Sequence, residues 1–185
     1  METYYTADPH LCHRNIVNIE PTRKQFVGNP EAMFETIIRN WNAVVTDEDV
    51  VNVIGDFGLG SAKKIAAYVA RLNGKIRLWP GNHDSDKILR ALEEVGVEIM
   101  PLMTKMKVGH VLTYISHFPV EVGERENLCS LHGHIHGEDS SLIMQVNVGV
   151  DQDWDVPFGQ PIPEEKVFER ILERSKQVAD KKAAC

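Results

Sequence analysis

The chain has 185 residues, 43% hydrophobic and 25% charged, a balance that suits one soluble globular domain. Its net charge of −7 argues against a broad basic surface gripping duplex nucleic acid. No apolar run reaches the roughly 20 residues of a bilayer span, so no membrane partner is expected.

The start, METYYTADPH, lacks the basic beginning and apolar stretch of a signal peptide. The mature protein is therefore expected to begin at or near Met1, in the cytoplasm. Thr3–Ala7 is β-branched and aromatic and reads as a first strand. Residues 9–29 read as a long irregular connection punctuated by Pro9, Pro21 and Gly28. Asn29-Pro30-Glu31 opens a helix, with Asn29 as cap, and Met33, Phe34, Ile37, Ile38, Trp41 and Val44 follow at helical spacing.

Val50–Ile54 is nearly all apolar, as in a strand buried on both faces. A helix over Ser61–Leu72, a strand over Lys75–Trp79, a helix over Asp86–Val95 and a short strand over Val97–Met100 come next. The rhythm then changes to successive strands at Lys105–Val108, Val111–Ser116, Leu128–His132 and Leu142–Val148. Gly109-His110 reads as a hairpin turn. Helical spacing returns over Glu164–Val178, and Ala179–Cys185 is expected to fray. The order implies one α/β domain over residues 1–185, with two packed sheets and helices outside them.

The three cysteines, Cys12, Cys129 and Cys185, are odd in number and scattered, which points to free thiols in a reducing compartment. No CxxC pair suggests a zinc ribbon.

The chemistry gathers where the apolar runs end. The first ends in Asp8-Pro9-His10, the second in Gly55-Asp56, and the third in Gly81-Asn82-His83-Asp84. VLTYIS ends in His117, and NLCSL leads to His132-Gly133-His134-Ile135-His136. Ligands in α/β proteins collect at the carboxyl ends of strands. Asp8 with His10, and His134 with His136, stand two apart, so extended backbone would turn both members of each pair to one side without distortion. The glycines before Asp56, Asn82 and His134 suit sharp turns at the site. Carboxylate, imidazole and amide together suit Mn²⁺, Fe²⁺, Co²⁺, Ni²⁺ or Zn²⁺. Each piece alone is a weak signal, and the strength lies in the set and its order.

That order, D-x-H, GD, GNHD, a single H and GHxH, resembles the calcineurin-like metallophosphoesterase superfamily. The first block, ADPHLCHRNI, is similar to that of small bacterial and phage phosphoesterases, which often read D-x-H-x-x-H-x-N. The resemblance spans Asp8 to His136 and implies a four-layer αββα sandwich of two mixed sheets flanked by helices. It implies two divalent ions, Mn²⁺ first among the candidates. Asp8, His10 and His136 would hold one ion, Asn82, His117 and His134 the other, and Asp56 would bridge them. His83 would contact the phosphate and protonate the leaving oxygen, with Asp84 orienting it. The implied reaction is hydrolysis of a small phosphate ester, a phosphodiester for preference, by metal-held hydroxide with His83 as general acid.

His13, Arg14 and Asn15 fit the small-enzyme block and are candidate substrate contacts, although Arg14 reads equally as a solvated loop residue. His132 is expected to support the site and His110 to face solvent. Asn147–Asp151 reads as a pocket wall or as a plain strand end. Two alternatives stand beside the diesterase: a phosphomonoesterase or nucleotidase on the same ligands, and a non-catalytic protein-binding scaffold of the same fold. A scaffold would be expected to lack ligands, and this chain lacks none. A homo-oligomer is left open.

Overall fold

The computed structural model describes residues 1–138, 140 and 142–184. Cys185, expected as a third free thiol, lies outside the described residues. Among the described residues nine strands form two sheets. The first has the order β4-β3-β2-β1-β9, built from β1 (Thr3–Thr6), β2 (Val50–Ile54), β3 (Lys75–Trp79), β4 (Glu98–Ile99) and β9 (Ile162–Pro163). Its strands are parallel except for β9, which pairs antiparallel with β1. The second has the order β5-β6-β7-β8, built from β5 (Met103–Val108), β6 (Val111–Ser116), β7 (Leu128–His132) and β8 (Gln145–Asn147). There β5 and β6 form the hairpin, while β6, β7 and β8 run parallel. The fold is therefore α/β, with two mixed sheets flanked by helices.

Strand alternation divides the core. Tyr4, Val51, Val53, Ile76 and Leu78 turn one way, onto Met33, Phe34, Ile37 and Trp41 of α2 (Pro30–Asn42), Ile65 and Val69 of α3 (Ala62–Val69), and Ile88 and Leu92 of α4 (Asp86–Glu93). Tyr5, Ile54 and Trp79 turn the other way, into a second cluster with Val111, Ile115, Cys129, Leu131 and Val146 of the second sheet. Val167, Ile171 and Val178 of α5 (Glu164–Ala183) join that cluster. Trp79 ties the sheets together by donating its indole N–H to Thr104 Oγ1 at 2.8 Å.

The expected hairpin turn is present: Val108 pairs with Val111 across Gly109-His110, and Gly109 takes φ +57°. Any Cβ at Gly109 would also lie 2.4 Å from the Phe168 ring. Asn29 caps α2, its side-chain oxygen accepting from Ala32 N–H. Ser61 precedes α3 but makes no side-chain cap.

Three expectations change. Residues 9–29 are not an irregular connection: they contain a helical turn α1 (Ile16–Ile19) and a 3₁₀ segment (Pro21–Phe26). The last helix does not fray at Ala179 but continues to Ala183, where Lys181 pairs with Glu124 (2.5 Å) and Lys182 with Glu126 (3.1 Å) on the surface. The strand expected over Leu142–Val148 shrinks to the three residues of β8, and β9 is additional. Among the described residues no helix is long and apolar enough to cross a membrane.

Candidate metal centre

All five motifs begin one or two residues beyond a strand, on β1, β2, β3, β6 and β7, and those strands carry them to one edge where the sheets meet. Ala7 bridges to Gly149, which brings the exit of β8 to the same edge.

The backbone there is not extended, and this corrects the expectation of undistorted pairs. Asp8, His10, Asp56, His134 and His136 take φ values of +57°, +51°, +52°, +72° and +49°. Left-handed backbone at a residue with a side chain costs on the order of 1 kcal/mol or more and persists where the surroundings impose it. Cys12 and Asp155 are the other non-glycine cases among the described residues, so five of seven are expected ligands. Strain is concentrated at the centre.

The glycines also act differently from expectation. Only Gly55 of the three takes a positive φ, +84°. All three are required because a side chain of another motif occupies the space. A Cβ on Gly55 would stand 2.3 Å from His117 Nδ1, one on Gly81 2.2 Å from Asp56 Oδ1, and one on Gly133 2.4 Å from Asp8 Oδ2. Gly81→Ala is therefore expected to push Asp56 aside and lower metal affinity by about 10–100-fold, the scale seen when a ligand loses its support. Calorimetric metal titration checks it.

Asp56 is the hub. Its Oδ2 lies 3.6 Å from His10 Nε2, 3.8 Å from His83 Nε2 and 3.4 Å from His117 Nε2. Among the described residues, three sets of possible ligand atoms at this centre fall within 4.8 Å of one another: Asp8 with His10 and His136, His10 with Asp56 and His83, and Asp8 with Asp56 and His117. The Asn82 amide oxygen sits 3.1 Å from His117 Nε2. The His134 ring faces that of His117 at 5.0 Å, and its backbone N–H donates to both Asp8 oxygens at 3.0 and 3.2 Å.

Three of the imidazoles have an outer nitrogen occupied. His117 Nδ1 is 3.0 Å from the Ile54 carbonyl, His136 Nδ1 is 2.9 Å from Asp151 Oδ2, and His10 Nδ1 is 3.2 Å from His13 Nδ1. A histidine held at one nitrogen offers the other inward with its tautomer fixed, the usual supporting arrangement of metal-binding imidazoles. His10 Nε2 is buried without a hydrogen-bond partner. Such an atom costs about 1–3 kcal/mol unless something binds it.

The electrostatics fit the same group. Burial raises the Asp8 carboxyl to about 7, against the pull of His117 and His136. Burial, reinforced by Arg23, lowers His10 to about 2, so its ring is neutral and can donate a lone pair. Burial also acts to raise Asp56, but contact with His117 and the His83 N–H bond hold it down at about 2. Burial works against the charge on His117, and the facing carboxylates of Asp56 and Asp8 outweigh it, so its pKa rises. An ionised Asp56 beside the neutral His10 ring, with the Asn82 amide and His117 alongside, is a donor set for borderline divalent cations. The residues present fit such ions.

Other expectations need revision. Asp84 does not orient His83. Its carboxylate accepts backbone N–H bonds from Asp56 (2.8 Å), Phe57 (3.0 Å) and Gly81 (2.9 Å), stitching the Gly-Asn-His-Asp loop to the Gly-Asp loop. His83 is placed instead by its own N–H bond to Asp56 Oδ1 at 2.9 Å. Arg14 is exposed and pairs with Glu31 at 3.3 Å, and Asn15 is exposed with its side chain bonded to Asn18. Neither belongs to the centre, and Arg14→Ala is expected to change hydrolytic rates by less than about twofold in a steady-state assay. His13 does belong beside it, half-buried between His10 and His83, with ring centroids 5.2 and 6.1 Å away. His110 is exposed, as expected, and packs on Phe168. His132 is buried directly behind the centre, with Nδ1 2.8 Å from the Gly133 carbonyl.

Sequence reasoning missed Arg23. It is fully buried on the 3₁₀ segment and forms a two-armed pair with Asp151, Nε to Oδ1 at 2.9 Å and Nη2 to Oδ2 at 2.6 Å. The same guanidinium donates to the Asp8 carbonyl at 2.7 Å and the Pro9 carbonyl at 3.3 Å. Asp151 also accepts from the Thr22 hydroxyl. Arg23 thus fixes the strained Asp8 backbone and, through Asp151, the His136 ring. The single sequence signal was the Asn147–Asp151 segment read as a pocket wall.

No protein-family model matches the chain. The chain is similar to an uncharacterized protein of Methanocaldococcus jannaschii, 38% identical over 100 residues that span 52% of this chain and 55% of that protein. It thus matches about half the length of that relative. It is similar to the gene 66 protein of Mycobacterium phage L5, 24% identical over 206 aligned positions that cover 91% and 93% of the two chains. The gene 66 protein of Mycobacterium phage D29 is 26% identical over 181 positions, covering 80% and 87%. Among solved structures, a protein of unknown function from Aquifex aeolicus superposes with a TM-score of 0.68 at 25% identity, covering 91% of this chain and 98% of that one. The chain shares its two-sheet α/β fold with that protein.

Proposed function

We propose that the chain is a metal-dependent phosphoesterase of the calcineurin-like kind, hydrolysing phosphodiesters. The observation that carries this reading is Asp56, one buried carboxylate within 3.4–3.8 Å of three imidazoles from three separate motifs. Asp8, His10 and His136 would hold one divalent ion and Asn82, His117 and His134 a second, with Asp56 between them. Bound there, the ions would supply charge that acidifies water and offsets negative charge on the phosphate.

The remaining work falls to side chains of this chain. Asn82 turns its amide oxygen toward His117, which leaves its NH₂ to donate to a phosphate oxygen. His83 stands at the mouth with about a third of its side chain exposed, beside Asp56, where a proton on its ring can pass to the departing ester oxygen. His13 closes the wall between His10 and His83. A cavity of about 640 Å³ beside His134 and His136 has room for a second ester group, which favours a diester over a monoester. We place the reaction in the cytoplasm, a reading supported by the free thiols of Cys12 and Cys129.

His83→Ala tests the acid. The variant is expected to bind Mn²⁺ like the wild type but to hydrolyse an alkyl-leaving diester about 10²–10⁴-fold more slowly. The loss should shrink for an aryl diester, whose leaving group needs no proton. An equal loss on both substrates would remove His83 from the acid role.

A further inference from the structure

The cavity beside the centre has a composition of its own. Its walls include His134 and His136 of the centre, the acidic residues Glu20 and Glu138, and the apolar residues Ile19 and Ile135. At about 640 Å³ it is far larger than a hydrated metal site needs and matches a small organic group. Glu20 is half-buried and makes no side-chain hydrogen bond or ion pair among the described residues, in contrast to Asp151. An oxygen of Glu20 lies within 4.8 Å of ligand atoms of His136 and Asp151. That trio is not a third metal site, because both Asp151 oxygens already serve Arg23, Thr22 and His136. Arg23 is fully buried and committed to Asp151, so it forms no ion pair with Glu20 or Glu138.

Resting on the phosphoesterase reading, we propose that this cavity selects phosphodiesters whose non-leaving ester group carries an organic ammonium, seated between Glu20 and Glu138. The phosphate would lie at the centre, and the ammonium would extend past His136 with its alkyl carbons against Ile19 and Ile135. A carboxylate or second phosphate on that group would face two like charges and be rejected.

The test compares three diesters that share one 4-nitrophenyl leaving group. Their second group is 2-(trimethylammonio)ethyl, the uncharged isostere 3,3-dimethylbutyl, or 2-carboxyethyl. With wild-type, Mn²⁺-loaded protein, kcat/KM is expected to fall in that order, by on the order of tenfold at the first step. Glu20→Gln, and separately Glu138→Gln, should bring the ratio of cationic to neutral substrate toward one. Equal rates for the cationic and neutral diesters, or a preference that both variants preserve, would overturn the inference while leaving the phosphoesterase reading intact. Hydrolysis of none of the three would remove that reading and this one with it.

Discussion

Asp56→Asn is expected to lower hydrolysis of an aryl phosphodiester by more than about 10³-fold while the melting temperature changes little. The size follows from position: the same Oδ2 serves three imidazoles, and removing its charge weakens both ion sites at once. The fold should survive because an amide oxygen can still accept the His83 N–H bond made to Asp56 Oδ1. Asp84 continues to hold the Asp56, Phe57 and Gly81 backbone without help from the Asp56 side chain. Initial rates at saturating Mn²⁺, with circular-dichroism melts alongside, separate the two effects. A variant retaining a tenth of wild-type activity would not be compatible with a shared carboxylate.

Arg23→Met is expected to be the most damaging single change outside the ligands. It strands Asp151 as a buried anion and frees the Asp8 and Pro9 carbonyls. Breaking a buried pair from one side costs about 3–5 kcal/mol. For a chain of this size that is roughly 6–20 °C in Tm. Asp151 is held well below the usual carboxylate range, burial opposing and Arg23 and His136 overcoming it. A depressed carboxylate contributes stability above its unfolded pKa and loses it as pH falls toward the folded value. The difference between wild type and Arg23→Met should therefore be full at pH 7 and narrow below about pH 4, since protonation removes the stranded charge in the variant first. Equal Tm values at pH 7 would mean that the pair is dispensable.

The elements legible in the sequence were those whose signal is local. Val50–Ile54, Lys75–Trp79, Val111–Ser116 and Leu128–His132 are apolar runs with clear stops, and the strands occupy those residues. Asn29 announced its helix by a side-chain bond three residues away. The gathering of Asp8, His10, Asp56, Asn82, His83, His117, His134 and His136 was legible for a related reason, since parallel strands deliver their carboxyl ends to one edge.

What stayed hidden depends on contacts far along the chain. Arg23 reads as an ordinary loop charge, and only Asp151, 128 residues later, makes its burial tolerable. The left-handed backbone at Asp8 and His134 is imposed by neighbours from other motifs, whereas residue spacing alone suggested extended chain. Asp84 beside His83 invited a partnership that the loop spends on backbone N–H groups instead. The end of the last helix carries no apolar stripe past Val178, and its contacts there are exposed pairs of Lys181 and Lys182 with Glu124 and Glu126, far away in the chain.

In the proposed centre Asp56 joins two ion sites. Protein stripped of metal and loaded with two equivalents of Mn²⁺ can be examined by electron paramagnetic resonance. Two neighbouring ions sharing the carboxylate should give an exchange-coupled spectrum, which Asp56→Asn should replace with that of isolated Mn²⁺. An uncoupled six-line signal from the wild type, or no binding at all, would mean that Asp56 does not join two ions.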